Sequence, residues 1–350
     1  MRYKLFGRSG LQVSELCLGT LEFGVAHGTE DPLVEAREIF ECFAEAGGNF
    51  LDTSDDYGKG LSEEVIGDLV QRDRDHFVIA TKYGTDMGGA DSVMRSGSSR
   101  RNMRRCIEGS LRRLNVEAVD VLYLHMWDFT TQWPEILSGL DDLVRSGKVH
   151  YIAISDTPAW EISRAMVLSE MKGWESFAGV ELQYNLCDRT AERELLPMAV
   201  EFDLAVTAWA PLAGGVLAGR FRGAKQDGRG KSIPDRTQAI AALVENVAHE
   251  IGATMSQVAL AWLRQRGAEF GHIFPIVGAD SRAVLHENLG YLDLTLSAQE
   301  MDRLNDATKI DLGFPYDILL SERAAGAMTA QNIGLLDNHR YRDPRRSTWT

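Results

Sequence analysis

Four side chains of this 350-residue chain could together deliver a proton to a carbonyl oxygen: Asp52 and Tyr57 in FLDTSDDYG, Lys82 in VIATKYG and His125 in VLYLHMWD. A phenol such as Tyr57 can donate a proton, but its ordinary pKa of about 10 is high for work near neutrality. An ammonium beside it, Lys82, favours the phenolate and draws that value down. Asp52 would keep Lys82 charged and oriented. His125 would hydrogen-bond the carbonyl oxygen and help stabilise the negative charge developing there. Taken singly, each residue has a plainer reading as a strand-end salt bridge, a packed tyrosine or a polar strand terminus. Four different proton-handling groups at the ends of successive strands are not a packing pattern. They lack a hydride source, which the second half of the chain would have to help bind.

The elements that must position these groups are readable from apolar runs. Eight short runs rich in Val, Ile and Leu predict strands: Glu15–Leu18, Asn49–Asp52, Phe77–Thr81, Val119–Leu124, His150–Ser155, Val180–Gln183, Ala205–Ala208 and Ile273–Val277. Helical patterns at Leu33–Ala46, Glu63–Val70, Asn102–Leu114, Pro134–Ser146, Ala159–Met171, Ala191–Phe202 and Thr237–Glu250 separate them, and Ser256–Gln265 and Arg282–Leu289 flank the last strand. Strands apolar throughout are strands buried on both faces of a parallel sheet. Eight β–α units, with no G-x-G-x-x-G after the first strand, predict an α/β fold that is a closed (β/α)8 TIM barrel rather than an open sheet. A small hairpin around GRSG precedes it, with strands at Tyr3–Phe6 and Leu11–Val13. The expectation is a single domain over 1–350, with the barrel at about 15–310 and a tail at 311–350. Long polar excursions at 83–101 and 210–236 leave the C-terminal ends of the third and seventh strands, the face where barrel active sites lie.

Composition narrows the function. A net charge of −14 argues against nucleic acid or an anionic membrane as the main partner. No apolar run reaches the ~20 residues of a bilayer span, and the polar, Gly-containing N-terminus does not read as a signal peptide. Cys17, Cys42, Cys106 and Cys187 are widely spaced and predict reduced thiols in a cytoplasmic protein. Metal catalysis would want clustered His, Asp and Glu, and a serine nucleophile a G-x-S-x-G elbow. The chain has neither.

In order and spacing, FLDTSDDYGKGLSEEVIG, FVIATKYG, SLRRLNVEAVDVLYLHMWD, AWAPLAGGVLAGR and FPIVGADSRAVLHENLG resemble the aldo-keto reductases. The likeness runs from the opening hairpin to about residue 310 and is strongest to the branch of microbial aryl-alcohol dehydrogenases and potassium-channel β subunits. It implies the same four roles for Asp52, Tyr57, Lys82 and His125, and a nicotinamide cofactor. Trp209 would stack on the nicotinamide ring, with Ser155, Asp156 and Gln183 at the carboxamide; Asp156 replaces the usual Asn and can only accept hydrogen bonds when ionised. Gly19 and Thr20 would also border the cofactor. Ala210, Pro211, Leu212, Gly214, Gly215, Leu217 and Gly219 would approach the pyrophosphate through the backbone, with Arg220, Arg222, Lys225, Arg229 and Lys231 screening its charge. Gly278, Ser281, Arg282, Glu287 and Asn288 would meet the adenosine half. Asp280 stands where many relatives selective for a 2′-phosphate carry a cation, and would suit a ribose hydroxyl. The family favours NADP(H) and Asp280 favours NAD(H); NADP(H) is kept ahead.

The implied activity is NAD(P)H-dependent interconversion of an aldehyde or ketone and its alcohol. Leu21, Phe23, Trp127 and residues near Phe314 are candidates for the substrate lining, with Tyr57 and His125. The alternatives are a cofactor-binding redox sensor with slow turnover and an NAD-dependent secondary-alcohol or sugar dehydrogenase. Oligomeric state is not readable.

Overall fold

The computed structural model describes residues 1–24, 32–85, 94–221, 224, 226, 232–328, 332 and 335. Eight parallel strands close into a barrel: β3 (Cys17–Gly19), β4 (Phe50–Asp52), β5 (Val78–Tyr83), β6 (Val119–Leu124), β7 (Val149–Ser155), β8 (Gly179–Gln183), β9 (Ala205–Trp209) and β10 (Ile273–Val277), which returns to β3. Before them, β1 (Tyr3–Leu5) and β2 (Gln12–Ser14) form an antiparallel hairpin. The (β/α)8 expectation holds.

The barrel has two cores. Inside lie Cys17, Phe50, Val78, Ala80, Val121, Tyr123, Ala153, Ala205, Phe274 and Ile276, plugged from below by Phe6 of the hairpin. Phe6 meets Phe50 edge-on, with centroids 5.7 Å apart. The plug needs glycine opposite it, because a Cβ on Gly179 would stand 2.5 Å from Phe6 Cζ. The larger core lies between strands and helices, as expected where every strand is covered on its outer face.

The helices follow the predicted order: α1 (Pro32–Glu45), α2 (Leu61–Val70), α3 (Arg100–Leu114), α4 (Trp133–Arg145), α5 (Ala159–Lys172), α6 (Leu195–Glu201), α7 (Asp235–Ile251), α8 (Met255–Phe270) and α9 (Arg282–Leu289). Two differ from expectation. The helix predicted over Ala191–Phe202 is a 3-10 turn at Thr190–Glu192 followed by the shorter α6. Pro197 explains it: in a helix from 191 it would be interior and clash with the preceding turn, whereas in α6 it lies in the first turn. α8 continues past Gln265 through Gly267. Three further helices are α10 (Ala298–Thr308), α11 (Tyr316–Leu319) and α12 (Glu322–Met328). Among the described residues no helix is long and apolar enough to cross a membrane.

Candidate active site

In-register pairing sets the site. Asp52 pairs with Gly19 and Ala80, and Lys82 with Tyr123, so Asp52 and Lys82 project into the barrel just above its apolar filling. Lys82 is fully buried and uses its three ammonium hydrogens on three acceptors: Asp52 Oδ1 at 2.5 Å, the Thr53 carbonyl at 3.1 Å and the Tyr57 hydroxyl at 3.1 Å. Tyr57 reaches it because the chain turns sharply after Asp56, with Gly58 and Lys59 both at positive φ, 57° and 59°. The Asp52 strand end is fixed from the outside. Thr20 Oγ1 donates to the Asp52 carbonyl at 2.8 Å, and Ser62 Oγ lies 2.8 Å from the hydroxyls of both Thr20 and Thr53.

His125 completes the group. Its ring centroid lies 6.2 Å from that of Tyr57, and its Nδ1 is 3.3 Å from Ser54 Oγ and 3.8 Å from Asp56 Oδ1. Burial, and then the Lys82 charge, lower its pKa to about 4, so the imidazole is neutral at pH 7. Against burial, Asp52, Glu181 and Tyr57 hold Lys82 well above its ordinary value. For Tyr57 the balance differs from the sequence argument: burial pushes the phenol up and outweighs the pull of Lys82. Without cofactor or substrate, Tyr57 therefore carries its proton.

The sequence reading missed one member of this cluster. Glu181, on β8, is buried, with Oε2 3.5 Å from Lys82 Nζ. Its signal was a carboxylate in the otherwise apolar run VEL, two residues before Gln183 and so on the same face of the strand.

The expected cofactor residues line the adjoining strand ends. Ser155, Gln183 and Trp209 end β7, β8 and β9, and Trp209 Nε1 donates to Asp156 Oδ1 at 3.2 Å. Asp156, Ala210 and Ala213 hold positive φ values of 38°, 49° and 50° without being glycine. Backbone strain of this kind concentrates at binding sites. Gly214, at φ 64°, has nothing within 4 Å of where a Cβ would stand, so its amide neighbourhood is open. Leu212 and Gly219 flank the same turn, whereas the side chains of Pro211 and Leu217 are buried beneath it. An open, glycine-bearing turn beside a half-buried indole and two polar strand ends, whose side chains make no hydrogen bond among the described residues, fits a dinucleotide.

Among the residues expected to meet the adenosine half, Gly278 and Asp280 are exposed just past the end of β10, with Asp280 in a 2.8 Å ion pair to Arg220. Ser281 caps α9, and Arg282 reaches Glu45 on α1 at 2.5 Å. Glu287 is exposed and Asn288 buried on the same helix. Arg222, Lys225, Arg229 and Lys231 lie outside the described residues.

The substrate candidates separate. Phe23 is buried in the interlayer core, Leu21 is exposed, and Phe314 is 83% exposed. Trp127 stands two residues past His125 and stacks on Phe129 at 4.1 Å and against Trp160 at 5.9 Å. Phe129 is 77% exposed at φ 60°. Its loop is held by Asp128, which accepts hydrogen bonds from Ser98 N, Thr130 N, Thr131 N and Thr131 Oγ1 at 2.7–2.8 Å. Against the push of burial, those bonds hold the Asp128 carboxyl well below the usual range. Neither Phe129 nor Trp160 was singled out from the sequence.

The sequence pattern of the Aldo/keto reductase family matches residues 15–309. The chain is 35% identical to the aldo-keto reductase ausK of Emericella nidulans, over 91% of this chain and 84% of that protein. It is 34% identical to an aryl-alcohol dehydrogenase [NADP(+)] of Phanerodontia chrysosporium, over 88% and 86%. It is 33% identical to norsolorinic acid reductase B of Aspergillus parasiticus, over 94% and 89%.

Proposed function

Because the chain belongs to the aldo/keto reductase family, and is an oxidoreductase of that family, we propose that it reduces an aromatic aldehyde or ketone with Tyr57 as proton donor, or runs the reverse oxidation. The observation that carries this reading is the contact of the Tyr57 hydroxyl with Lys82 Nζ at 3.1 Å, beside Asp52 at 2.5 Å. A nicotinamide cofactor, when bound, supplies or accepts the hydride. Trp209, Ser155, Gln183 and the turn at Gly214 are the residues that would hold it.

The protein's own part is proton handling and orientation. Tyr57 starts protonated and gives its proton to the carbonyl oxygen; Lys82 then faces a phenolate and stabilises it. Asp52 and the Thr53 carbonyl fix the Lys82 ammonium so that little reorganisation is needed. The neutral His125 ring, with Nδ1 accepting from Ser54, directs an Nε2–H at the same oxygen. The Trp127–Phe129–Trp160 patch beside His125 supports an aromatic substrate, and a relative's name, aryl-alcohol dehydrogenase, agrees with that class.

NADP(H) is the preferred cofactor in this reading. Asp280 is already compensated by Arg220, which lessens its repulsion of a 2′-phosphate, and the printed name of one relative includes NADP(+). The test is Tyr57→Phe assayed with aryl aldehydes and NADPH. Turnover should fall about 10²–10⁴-fold, the range of general acid catalysis. Cofactor affinity, read by tryptophan quenching, should stay within a few-fold. Wild-type turnover in that variant would refute the assignment.

A further inference from the structure

Lys82 is a single buried cation with two buried carboxylates. Asp52 takes its short hydrogen bond; Glu181 Oε2 lies 3.5 Å from Nζ and, among the described residues, has no hydrogen-bond partner. The reason is in the count of donors. An ammonium has three hydrogens, and those of Lys82 go to Asp52, Thr53 and Tyr57. Glu181 therefore acts on Lys82 chiefly by charge. The Tyr123 hydroxyl beneath it does not fill the gap, being paired with Thr207 Oγ1 at 3.0 Å.

We infer that Glu181 is a positioning residue for the proton transfer: by sharing the Lys82 charge it weakens the hold of Lys82 on the Tyr57 phenolate, and so sets the pH at which Tyr57 can act as a base. The inference rests on the reading of Tyr57 as proton donor.

The titratable groups that act on Glu181 come from all sides of the barrel interior. They are Cys17 from β3, Asp52 from β4, Lys82 from β5, Tyr123 from β6 and Asp156 just after β7; β9 contributes the neutral Thr207, and the inward residues of β10 are apolar. Asp52 and Asp156 disfavour ionisation of Glu181, and Lys82 favours it. Burial comes first and pushes the carboxyl well above its ordinary range. A carboxylic acid still releases its proton before a phenol in the same surroundings, since their intrinsic pKa values are about six apart. When ionised, Glu181 repels the phenolate that Tyr57 leaves. Both oxygens contact the same nitrogen, so they are no more than about 7 Å apart. At the effective dielectric of about 20 that suits protein sites, that repulsion is worth about one to two pH units on the Tyr57 proton.

The experiment is the pH profile of aryl-alcohol oxidation at saturating cofactor for the wild type, Glu181→Gln and Tyr57→Phe. Glu181→Gln should move the limb that reports the base form of Tyr57 down by about one unit or more. Oxidation below the limb then rises about tenfold, while the KM values for alcohol and cofactor stay within a few-fold. Should the glutamine variant fail to unfold cooperatively, Glu181→Met takes its place; an apolar side chain of similar volume often replaces a buried charge without loss of stability. A limb that stays where the wild type has it, whether at full rate or with an equal loss at every pH, overturns the inference. An active Tyr57→Phe would overturn the reading of Tyr57 itself, whereas an inactive Tyr57→Phe with an unmoved Glu181→Gln limb overturns only the role of Glu181.

Discussion

Removing either member of the Asp52–Lys82 pair should not cost the same, and the difference follows from Glu181. Lys82→Met keeps most of the volume but strips the cation from two buried carboxylates at once, Asp52 at 2.5 Å and Glu181 at 3.5 Å. Breaking a buried pair by removing one partner costs about 3–5 kcal/mol, because the charge left behind is uncompensated. Asp52→Asn leaves Lys82 with its Thr53 carbonyl, an amide oxygen in place of the carboxylate, and the Glu181 carboxyl 3.5 Å away. The loss is then closer to that of one charge-assisted hydrogen bond weakened, about 1–2 kcal/mol. Urea unfolding at pH 7, followed by far-UV circular dichroism, measures both variants. A second signature is the pH dependence of the Lys82→Met deficit. Its orphaned carboxyls have folded-state pKa values raised above the unfolded ones, so stability is recovered as pH falls and they bind protons. The deficit should therefore shrink from pH 7 to pH 5. An Asp52→Asn variant as unstable as Lys82→Met, or a Lys82→Met deficit independent of pH, would refute the three-charge account of the site.

Three further tests address other parts of the molecule. His125 is held neutral down to about pH 4, while the unfolded chain takes up a proton near pH 6.5. Stability present above pH 6.5 is lost as pH falls toward 4; between pH 7.5 and 4.5, wild type should lose on the order of 2 kcal/mol more than His125→Gln in denaturant melts. Asp55 is buried beside the Cys106 thiol, and burial outweighs that contact and raises its pKa to about 7. The folded state then binds a proton that the unfolded state releases above pH 4, so stability falls as pH rises from about 4 to about 7. Asp55→Asn should be more stable than wild type by about 1–3 kcal/mol at pH 8 and equal to it at pH 4, and the reverse order in thermal melts would exclude this. Asp280→Arg adds a cation and releases Arg220 from its ion pair, so the ratio of NADPH to NADH affinity should rise tenfold or more by fluorescence titration. An unchanged ratio would mean that the start of α9 does not read the 2′-phosphate.

What the sequence disclosed follows the physics of a parallel barrel. Strands buried on both faces must be apolar throughout, so an ionisable residue at the end of such a run, as with Asp52, Lys82 and His125, stands out and is placed on one rim by topology alone. The order of strands and most helix bounds were legible for the same reason. Pro197 marks the start of α6, and SAQE at the start of α10 carries the side chains that form its capping box, Ser297 and Glu300. Tyr57 could be named but not positioned, because its reach to Lys82 depends on left-handed backbone at Gly58 and Lys59, one of which is not a residue that favours it. Charge compensation was the part least open to sequence reading. Arg220 meets Asp280 across sixty positions, Arg282 meets Glu45 on another helix, and Glu181 meets Lys82 across the barrel. Each of these pairings changes what its carboxylate or cation can do for a ligand. Asp280 read alone would repel a phosphate, but in the structure the same carboxylate holds the Arg220 cation beside it. The sign of a residue's effect on a ligand is thus a property of its partner, and the partner is chosen by the fold.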